Sequence, residues 1–265
     1  MEGLTLPKED YVPEVGGIPS DFSMILFGPP KIGKTTFGAA WPKSIVLECE
    51  PGGAQYIKCR KLDIGSLDEL RSAWDLLKAD KSYETIIIDT LDRVAQWVEV
   101  EICAELGLKH IMDTKKGERI GSQWGEYVNR ILILLEGWKR LGKRVIFIGH
   151  TKKAETDGQG MVISPKTINL YGQAANRVMS IVDNIGFMYP VEDDKGRVIR
   201  RLSFKPGIAV EAGSRHPSLT DRAIDIPKNA IYPTFAAMFS ASKENNTKEV
   251  TKTTEKAAKP AGGAK

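Results

Sequence analysis

A phosphate-binding loop constrains this sequence more than any other feature. The pattern G-x-x-x-x-G-K-[ST] is matched at every fixed position by Gly28, Pro29, Pro30, Lys31, Ile32, Gly33, Lys34 and Thr35, with Thr36 next in the chain. The loop follows a short apolar run over residues 23–27 and precedes a helical pattern, which is the context that the motif needs. We expect its backbone N–H groups to surround the phosphates of a nucleoside triphosphate, ATP in our interpretation. Lys34 is expected to contact the β- and γ-phosphates, and the Thr35 hydroxyl to bind Mg²⁺.

The two ends of the chain differ in composition from the segment between them. Residues 1–20 hold three prolines and three glycines and show no helical period. Residues 241–265 are rich in Lys, Thr and Ala, and Val250 is their one large apolar residue. A segment of this kind buries too little apolar surface to offset the entropy of ordering it. We therefore predict an extended N-terminal arm over residues 1–20, one domain over residues 21–240 and a disordered basic tail over residues 241–265.

The whole-chain composition is typical of a soluble globular protein, with 42% hydrophobic and 27% charged residues among 265. Its three cysteines show no metal-binding spacing, which favours a reduced compartment over a disulfide framework. The sequence contains neither a membrane-spanning apolar run nor a signal peptide, so we expect a cytoplasmic location and no membrane partner. The formal net charge of +4 permits a nucleic-acid partner without requiring one.

Short apolar runs alternate with helical patterns between the two ends. Nearly continuous apolar runs over residues 44–48, 85–89 and 144–149 are typical of strands that are covered on both faces, as in a parallel sheet. Helical patterns lie between them, at residues 34–41, 66–79, 91–106 and 123–141. Two later strands, over residues 185–189 and 198–204, flank a hairpin signal at residues 194–196. The predicted fold class is α/β, with a mainly parallel sheet flanked by helices and antiparallel strands added at its C-terminal side.

Polar residues end three of these strands, at the sheet edge where the phosphate loop also lies. Asp89 closes the run over residues 85–89 and is the expected carboxylate near the Mg²⁺ ion. Glu50 comes just past the end of the second strand and is our candidate general base, whereas Glu48 is expected still to lie within that strand. His150 follows the fourth strand and is a candidate sensor of the γ-phosphate. Solvated loop glutamates and a structural histidine are the plainer interpretations of the same residues.

Taken in this order, the phosphate loop, Glu50, Asp89 and His150 resemble the RecA-type ATPase core. In particular, residues 20–239 are similar to the small phage-encoded RecA-like ATPases of the Sak single-strand-annealing group. The resemblance implies a RecA-like P-loop NTPase core and Mg²⁺-dependent, DNA-stimulated ATP hydrolysis in phage recombination, annealing or repair. It also implies a location in the cytoplasm of an infected bacterium. Recombinases usually place Gln or Asn at the sensor position, so His150 departs from the pattern.

The resemblance also places two segments where RecA-like recombinases contact single-stranded DNA. The first precedes the helix that leads to the fourth strand and carries Lys115, Lys116 and Arg119; the second follows that strand and carries Lys152 and Lys153. Lysines among turn-forming residues suit a mobile loop that binds a phosphate backbone, although solvated surface loops look the same. Neither segment contains an aromatic residue, and such residues usually stack on the bases of single strands; Trp124 lies just outside the first.

Family members assemble into rings or filaments, so the resemblance implies a homo-oligomer. In such assemblies a basic residue of the neighbouring subunit often completes the ATP site, and Arg201, Lys205 and Arg215 are the candidates here. The basic tail could recruit a single-strand-binding protein.

Two other classes of function remain open. A small-molecule kinase shares the phosphate loop, but it normally has an arginine-rich lid, and it needs neither a water-activating glutamate nor a sensor on the fourth strand. A non-hydrolysing nucleotide switch or assembly module becomes the better interpretation if Glu50 is not the base. A GTPase is disfavoured because the sequence lacks an Asn-Lys-x-Asp segment.

Overall fold

The computed structural model describes residues 16–113, 122–156, 158–171 and 173–240. Residues 1–15 of the predicted arm and all of the predicted tail lie outside the described residues. The division of the chain into arm, domain and tail therefore stays a prediction.

Seventeen helices and strands have the bounds β1 Ser23–Gly28, α1 Lys34–Ala39, β2 Ser44–Glu48, β3 Lys61–Asp63, α2 Leu67–Ala79, β4 Thr85–Asp89, α3 Leu91–Leu106, α4 Ser122–Lys139, β5 Arg144–Lys152, β6 Glu155–Thr156, β7 Val162–Ser164, β8 Thr167–Ile168, α5 Ala174–Ile181, β9 Asn184–Glu192, β10 Val198–Ser203, β11 Gly213–Ser214 and β12 Ala223–Ile226. Residues 231–240 are also helical and are called α6 here. The sequence pattern missed β3, whose three residues are exposed and show no apolar run.

The main sheet has the strand order β12-β10-β9-β1-β5-β4-β2-β3, with β5 between the phosphate-loop strand β1 and the Asp89 strand β4. Strands β9, β1, β5, β4, β2 and β3 run parallel to one another. Strands β10 and β12 extend the β9 edge in antiparallel pairing, and β9 and β10 form the predicted hairpin. The predicted fold class is confirmed: this is an α/β fold with a mainly parallel sheet flanked by helices and antiparallel strands at its C-terminal side.

The continuous apolar runs arise because both faces of the sheet are covered by helices. Successive residues of each strand point to opposite faces, so each run supplies two cores. One core lies under helices α2 to α5 and receives Ile25, Phe27, Ile86, Ile88 and Phe147. The other lies under α1 and α6 and receives Met24, Leu26, Ile87, Ile146 and Ile148.

Helix α6 closes the second core through Phe235, which is fully buried. Its ring lies 5.4 Å from Phe37 and 5.3 Å from Trp41, both from the segment that follows the phosphate loop. Helix α6 thereby packs against helix α1, which follows the phosphate loop. Within the described ranges, none of the helices combines the length and the apolar character of a membrane span.

Candidate active site

The carboxyl ends of four parallel strands meet around one cavity of about 390 Å³. Gly28, at the end of β1, lies opposite His150 of β5, and Glu48, at the end of β2, lies opposite Asp89 of β4. The cavity is lined by Pro30, Lys31, Gly33, Lys34, Thr35, Thr36, Glu50, Pro51, Gly52, Gly53, Ile57, Asp89, Thr90 and His150. The structure thus brings the phosphate loop together with the predicted metal ligand, base and sensor.

Lys34 is the first residue of α1 and is 6% exposed. Its Nζ donates to the carbonyl oxygens of Gly28 and Pro29, both at 2.9 Å, which holds the ammonium inside the loop. Burial lowers the pKa of Lys34, and the carboxylates of Asp89 and Glu50 act against that shift. This cation faces the cavity that a triphosphate would enter.

Thr35 and Asp89 form a pair of oxygen ligands beside the lysine. The Thr35 hydroxyl donates to Asp89 Oδ2 at 2.6 Å. Asp89 is 5% exposed, and burial raises its pKa, although the Thr35 hydrogen bond and the Lys34 charge lower it. Mg²⁺ takes oxygen ligands and is commonly held by one or two protein side chains together with the phosphates of a nucleotide. A buried carboxylate in contact with a hydroxyl therefore fits a Mg²⁺ site.

The two glutamates that follow β2 have different surroundings. Glu48 is 4% exposed, accepts the backbone N–H of Ala54 at 2.7 Å and pairs with Lys61 Nζ at 2.5 Å. Glu50 is exposed, lines the cavity and accepts a hydrogen bond from the Thr90 hydroxyl at 3.3 Å. Glu48 is therefore occupied by structural partners, and Glu50 is the glutamate that solvent and a nucleotide can reach.

His150 lies on β5 at the same cavity, and behind it is Asp92, a residue that the sequence analysis did not identify. The backbone N–H of His150 donates to Asp92 Oδ2 at 2.9 Å, and the imidazole Nδ1 lies 3.6 Å from the same oxygen. Asp92 raises the pKa of His150, whereas burial lowers it. The one signal in the sequence that could have revealed Asp92 was its position as an acidic residue three places after Asp89.

Arg200 is a second residue that the sequence analysis missed. A side-chain carbon at Gly33 would come within 2.4 Å of an Arg200 guanidinium nitrogen, so the arginine of β10 rests directly on the phosphate loop. The other terminal nitrogen donates to the Pro227 carbonyl at 3.0 Å. No carboxylate within the described ranges pairs with Arg200, so its positive charge lies uncompensated beside Gly33.

The three cations predicted to act on a neighbouring subunit differ in their partners and in their position relative to the cavity. Arg201 donates two hydrogen bonds to Asp225, at 2.6 and 3.0 Å. Arg215 bonds Asp183 and the Ser180 carbonyl, near the amino end of β1 and away from the subunit's own cavity. Lys205 follows β10, whose antiparallel direction also puts it toward that far edge.

The second predicted DNA segment is more ordered than a loop. Strand β5 continues to Lys152, which pairs with Glu155 at 3.3 Å, and β6 and β7 form a short hairpin. Lys153 is exposed. Lys115, Lys116 and Arg119 of the first segment lie outside the described residues.

The fold also brings together an aromatic cluster of Trp124, Tyr127 and Tyr171. The ring of Trp124, from α4, lies 5.9 Å from that of Tyr127 and 6.1 Å from that of Tyr171. Tyr171 is 52% exposed and comes three residues after β8. Sequence reasoning could not find this cluster because its members come from separate elements.

The strand order, the phosphate loop and the Thr35–Asp89 pair define a P-loop NTPase. Residues 20–216 match the model of the AAA_24 family, described as an AAA domain. The match covers more than half of the chain, which therefore belongs to this family of P-loop ATPases.

Individual relatives are more distant. The SPbeta prophage-derived uncharacterized protein YorG of Bacillus subtilis (strain 168) is 26% identical over 165 residues, which are 60% of this chain and 47% of YorG. This chain thus spans about half the length of that curated relative. Two solved structures cover similar shares of the chain: the RadB recombinase (14% identity, 79% of this chain and 88% of RadB, TM-score 0.42) and the KaiC-like protein PH0186 of Pyrococcus horikoshii OT3 (16% identity, 80% and 87%, TM-score 0.44). Neither likeness is high enough to bear on function.

Proposed function

We propose that this protein is a Mg²⁺-dependent ATPase that acts on single-stranded DNA in phage recombination, annealing or repair. The observation that carries the proposal is the single cavity in which Lys34, Thr35, Asp89, Glu50 and His150 meet. Family membership makes nucleotide binding the activity to expect of this cavity.

Each residue of the cavity has a chemical task in hydrolysis. The ammonium of Lys34 neutralises charge on the β- and γ-phosphates, and Thr35 and Asp89 hold Mg²⁺, which supplies Lewis-acid stabilisation of phosphate charge. Glu50 orients the attacking water and accepts its proton, since it is exposed at the cavity, whereas Glu48 is buried and paired with Lys61. His150 contacts the γ-phosphate from the neighbouring strand.

The DNA part of the proposal rests on β5, which connects the cavity to the second proposed DNA-binding segment. Strand β5 carries His150 at the cavity and Lys152 two residues later, and Lys153 follows. The aromatic cluster of Trp124 and Tyr171 offers rings of the kind on which bases of single strands stack. A relative that is prophage-derived supports the phage part of the proposal.

The first experiment measures ATP hydrolysis by the purified full chain with and without single-stranded DNA. We expect DNA to stimulate turnover and Lys34→Ala to abolish it, whereas Glu50→Gln should bind ATP and lower the turnover rate by at least about a hundredfold. Glu136→Gln, at a half-buried glutamate of α4 that does not line the cavity, is the matched control and should hydrolyse ATP like the parent.

Each alternative outcome points to a different function. Full turnover by Glu50→Gln would remove Glu50 as the base. Tight ATP binding by the parent without any hydrolysis would favour a nucleotide switch, and phosphate transfer to a small molecule would favour a kinase. Turnover that ignores DNA would refute the DNA-dependent part.

DNA contact has its own test. Replacing Lys152 and Lys153 by alanine should weaken single-strand binding and reduce the slope of log affinity against log salt by about one unit per lysine that contacts a phosphate. An unchanged salt slope would mean that neither lysine contacts the strand.

We further propose assembly into a ring or filament, with a neighbouring subunit's cation completing the site and a single-strand-binding protein as a candidate partner of the tail. Of the three candidate cations, Arg201 and Arg215 are already paired with carboxylates of their own subunit, which favours Lys205. Light scattering with and without Mg²⁺-ATP tests assembly, and a monomer under both conditions would refute it.

A further inference from the structure

Asp92 occupies an unusual position for an acidic residue. It is the second residue of α3, is 8% exposed and directs Oδ2 across to β5, where the His150 backbone N–H donates to it at 2.9 Å. Its other carboxylate oxygen, Oδ1, is buried and has no hydrogen-bond partner in the described part of the chain.

The approach of Asp92 to β5 depends on Gly149. A side-chain carbon at Gly149 would lie 3.2 Å from Asp92 Oδ2 and 2.5 Å from the Ile168 side chain. The strand has no side chain at this position, so the carboxylate can reach the backbone and the ring of His150.

Asp92 does not serve as the N-terminal cap of its helix. Thr90 has that task, since its hydroxyl accepts the Arg93 backbone N–H at 3.4 Å. A carboxylate near a helix N-terminus gains some stability, but an unsatisfied buried oxygen costs more than an exposed helix-terminal charge contributes. Fold stability therefore does not account for this carboxylate.

The imidazole of His150 lies between Asp92 and the cavity. Nδ1 lies 3.6 Å from Asp92 Oδ2, and Nε2 has no hydrogen-bond partner among the described residues. With Nδ1–H toward the carboxylate, Nε2 can donate to a phosphate oxygen only as part of an imidazolium. A buried carboxylate next to the ring stabilises that charge.

We propose that Asp92 is a positioning residue that holds His150 as a cationic donor to the γ-phosphate, so that the site distinguishes ATP from ADP. The inference rests on the ATP site of the proposed function and adds a discriminating pair to it. The His150 ring of this pair then presents, within one subunit, a positive charge to the terminal phosphate, while the Asp92 carboxylate lies behind it.

The electrostatics of the cavity agree with this role. The Asp92 carboxylate raises the pKa of His150 and Glu50 acts in the same direction, while burial and Lys34 lower it. Asp89 of β4 also interacts with the ring, because the charge of His150 lowers the pKa of Asp89.

The experiment is a calorimetric comparison of Mg²⁺-ATPγS and Mg²⁺-ADP binding, which needs no turnover. We expect the parent to bind ATPγS more tightly than ADP. Asp92→Asn should lower this ratio of affinities about tenfold, which is the loss expected when one charge-assisted contact is removed. Its affinity for ADP should change by less than about twofold. His150→Gln should lose a similar factor. The double variant should lose no more than the larger single loss, because the two residues act as one unit.

Asp75→Asn on α2 is the matched control, since Asp75 is exposed and does not line the cavity. This variant should bind both nucleotides like the parent. Equal losses of ATPγS and ADP affinity in Asp92→Asn would show a merely structural role and overturn the proposal. Unchanged preference, or strictly additive losses in the double variant, would overturn it as well.

A second measurement decides the matter if Asp92→Asn does not fold. Nitrogen NMR of the parent should show both His150 ring nitrogens protonated in the ATPγS complex, with Nε2 shifted relative to the ADP complex. An Nε2 resonance that does not respond to the γ-phosphate would refute the proposal. A parent that binds ATPγS through this pair but never hydrolyses ATP would keep the inference and refute the proposed ATPase, whereas a parent that binds neither nucleotide would refute both.

Discussion

Replacing Gly28 by alanine tests how closely the phosphate loop packs on β9. A side-chain carbon at Gly28 would lie 2.2 Å from the Met188 carbonyl oxygen and 3.2 Å from its carbonyl carbon. Real contacts of this type essentially never fall below 3.0 Å. The obstacle is backbone of a central parallel strand, so it cannot rotate away as a side chain would. Strands β1 and β9 must therefore separate locally by close to an ångström.

The cost of such overpacking in a well-packed interior is about 2–3 kcal/mol of the free energy of unfolding. For a domain of this size the melting temperature should fall by about 4–12 °C. Urea and thermal unfolding followed by tryptophan fluorescence measure both quantities. Nucleotide affinity should fall as well, because Gly28 accepts a hydrogen bond from Lys34 at the start of the loop.

Gly137→Ala is the matched control, because a side-chain carbon there, within α4, meets no atom within 4 Å. In a helix interior this change should raise the free energy of unfolding by about 0.5–1 kcal/mol. If Gly28→Ala unfolded like the parent, the close approach of Met188 to the loop, and with it the packing of β9 on β1, would be refuted.

Three further predictions concern the metal, the second core and pH. Asp89→Asn should abolish the tightening of ATP binding by Mg²⁺: the ratio of the ATP affinity in Mg²⁺ to the ATP affinity in EDTA should fall at least about tenfold. An undiminished ratio would exclude Asp89 as a Mg²⁺ ligand. Phe235→Ala should cost about 3–5 kcal/mol of unfolding free energy, because the side chain is fully buried among Phe22, Phe37, Trp41, Phe204 and Phe239; a loss below about 1 kcal/mol would mean that α6 does not close this core. Burial lowers the pKa of His216, so the folded chain holds this proton less tightly than the unfolded chain. The resulting stability is present above the ordinary histidine pKa and is lost as pH falls through the lowered one. His216→Asn should reduce the loss of stability between neutral and mildly acidic pH, and identical pH profiles would contradict this.

The sequence could predict the parts of the site that depend on local order along the chain. The phosphate loop, the strand before it and the helix after it form one continuous segment, and Asp89 ends an apolar run whose pattern shows two covered faces. The fold class followed from the alternation of such runs with helices. The sequence also favoured Glu50 over Glu48 as the candidate base, because Glu50 comes just past the end of the second predicted strand.

The tertiary structure decided which distant residues share an environment. Lys61 lies 13 residues after Glu48 and engages it, which leaves Glu50 at the cavity. Asp92 and His150 are 58 residues apart and meet only because β5 is inserted next to β4. Arg200 reaches Gly33 because β10 pairs with β9, at the side of β1 opposite to β5.

The physical reason for this division is the range of the interactions involved. Backbone preference, helix initiation and hydrophobic periodicity act over a few residues, so a pattern within the sequence records them directly. Charge pairing, burial and close backbone approach depend on strand order and register. The pattern of a single sequence does not reveal which distant residues these bring together. For this protein the sequence by itself predicted a phosphate-binding loop and its place in the chain, and only the packed sheet decided which carboxylate lines the cavity beside that loop, which histidine lies at it and which arginine rests on the loop.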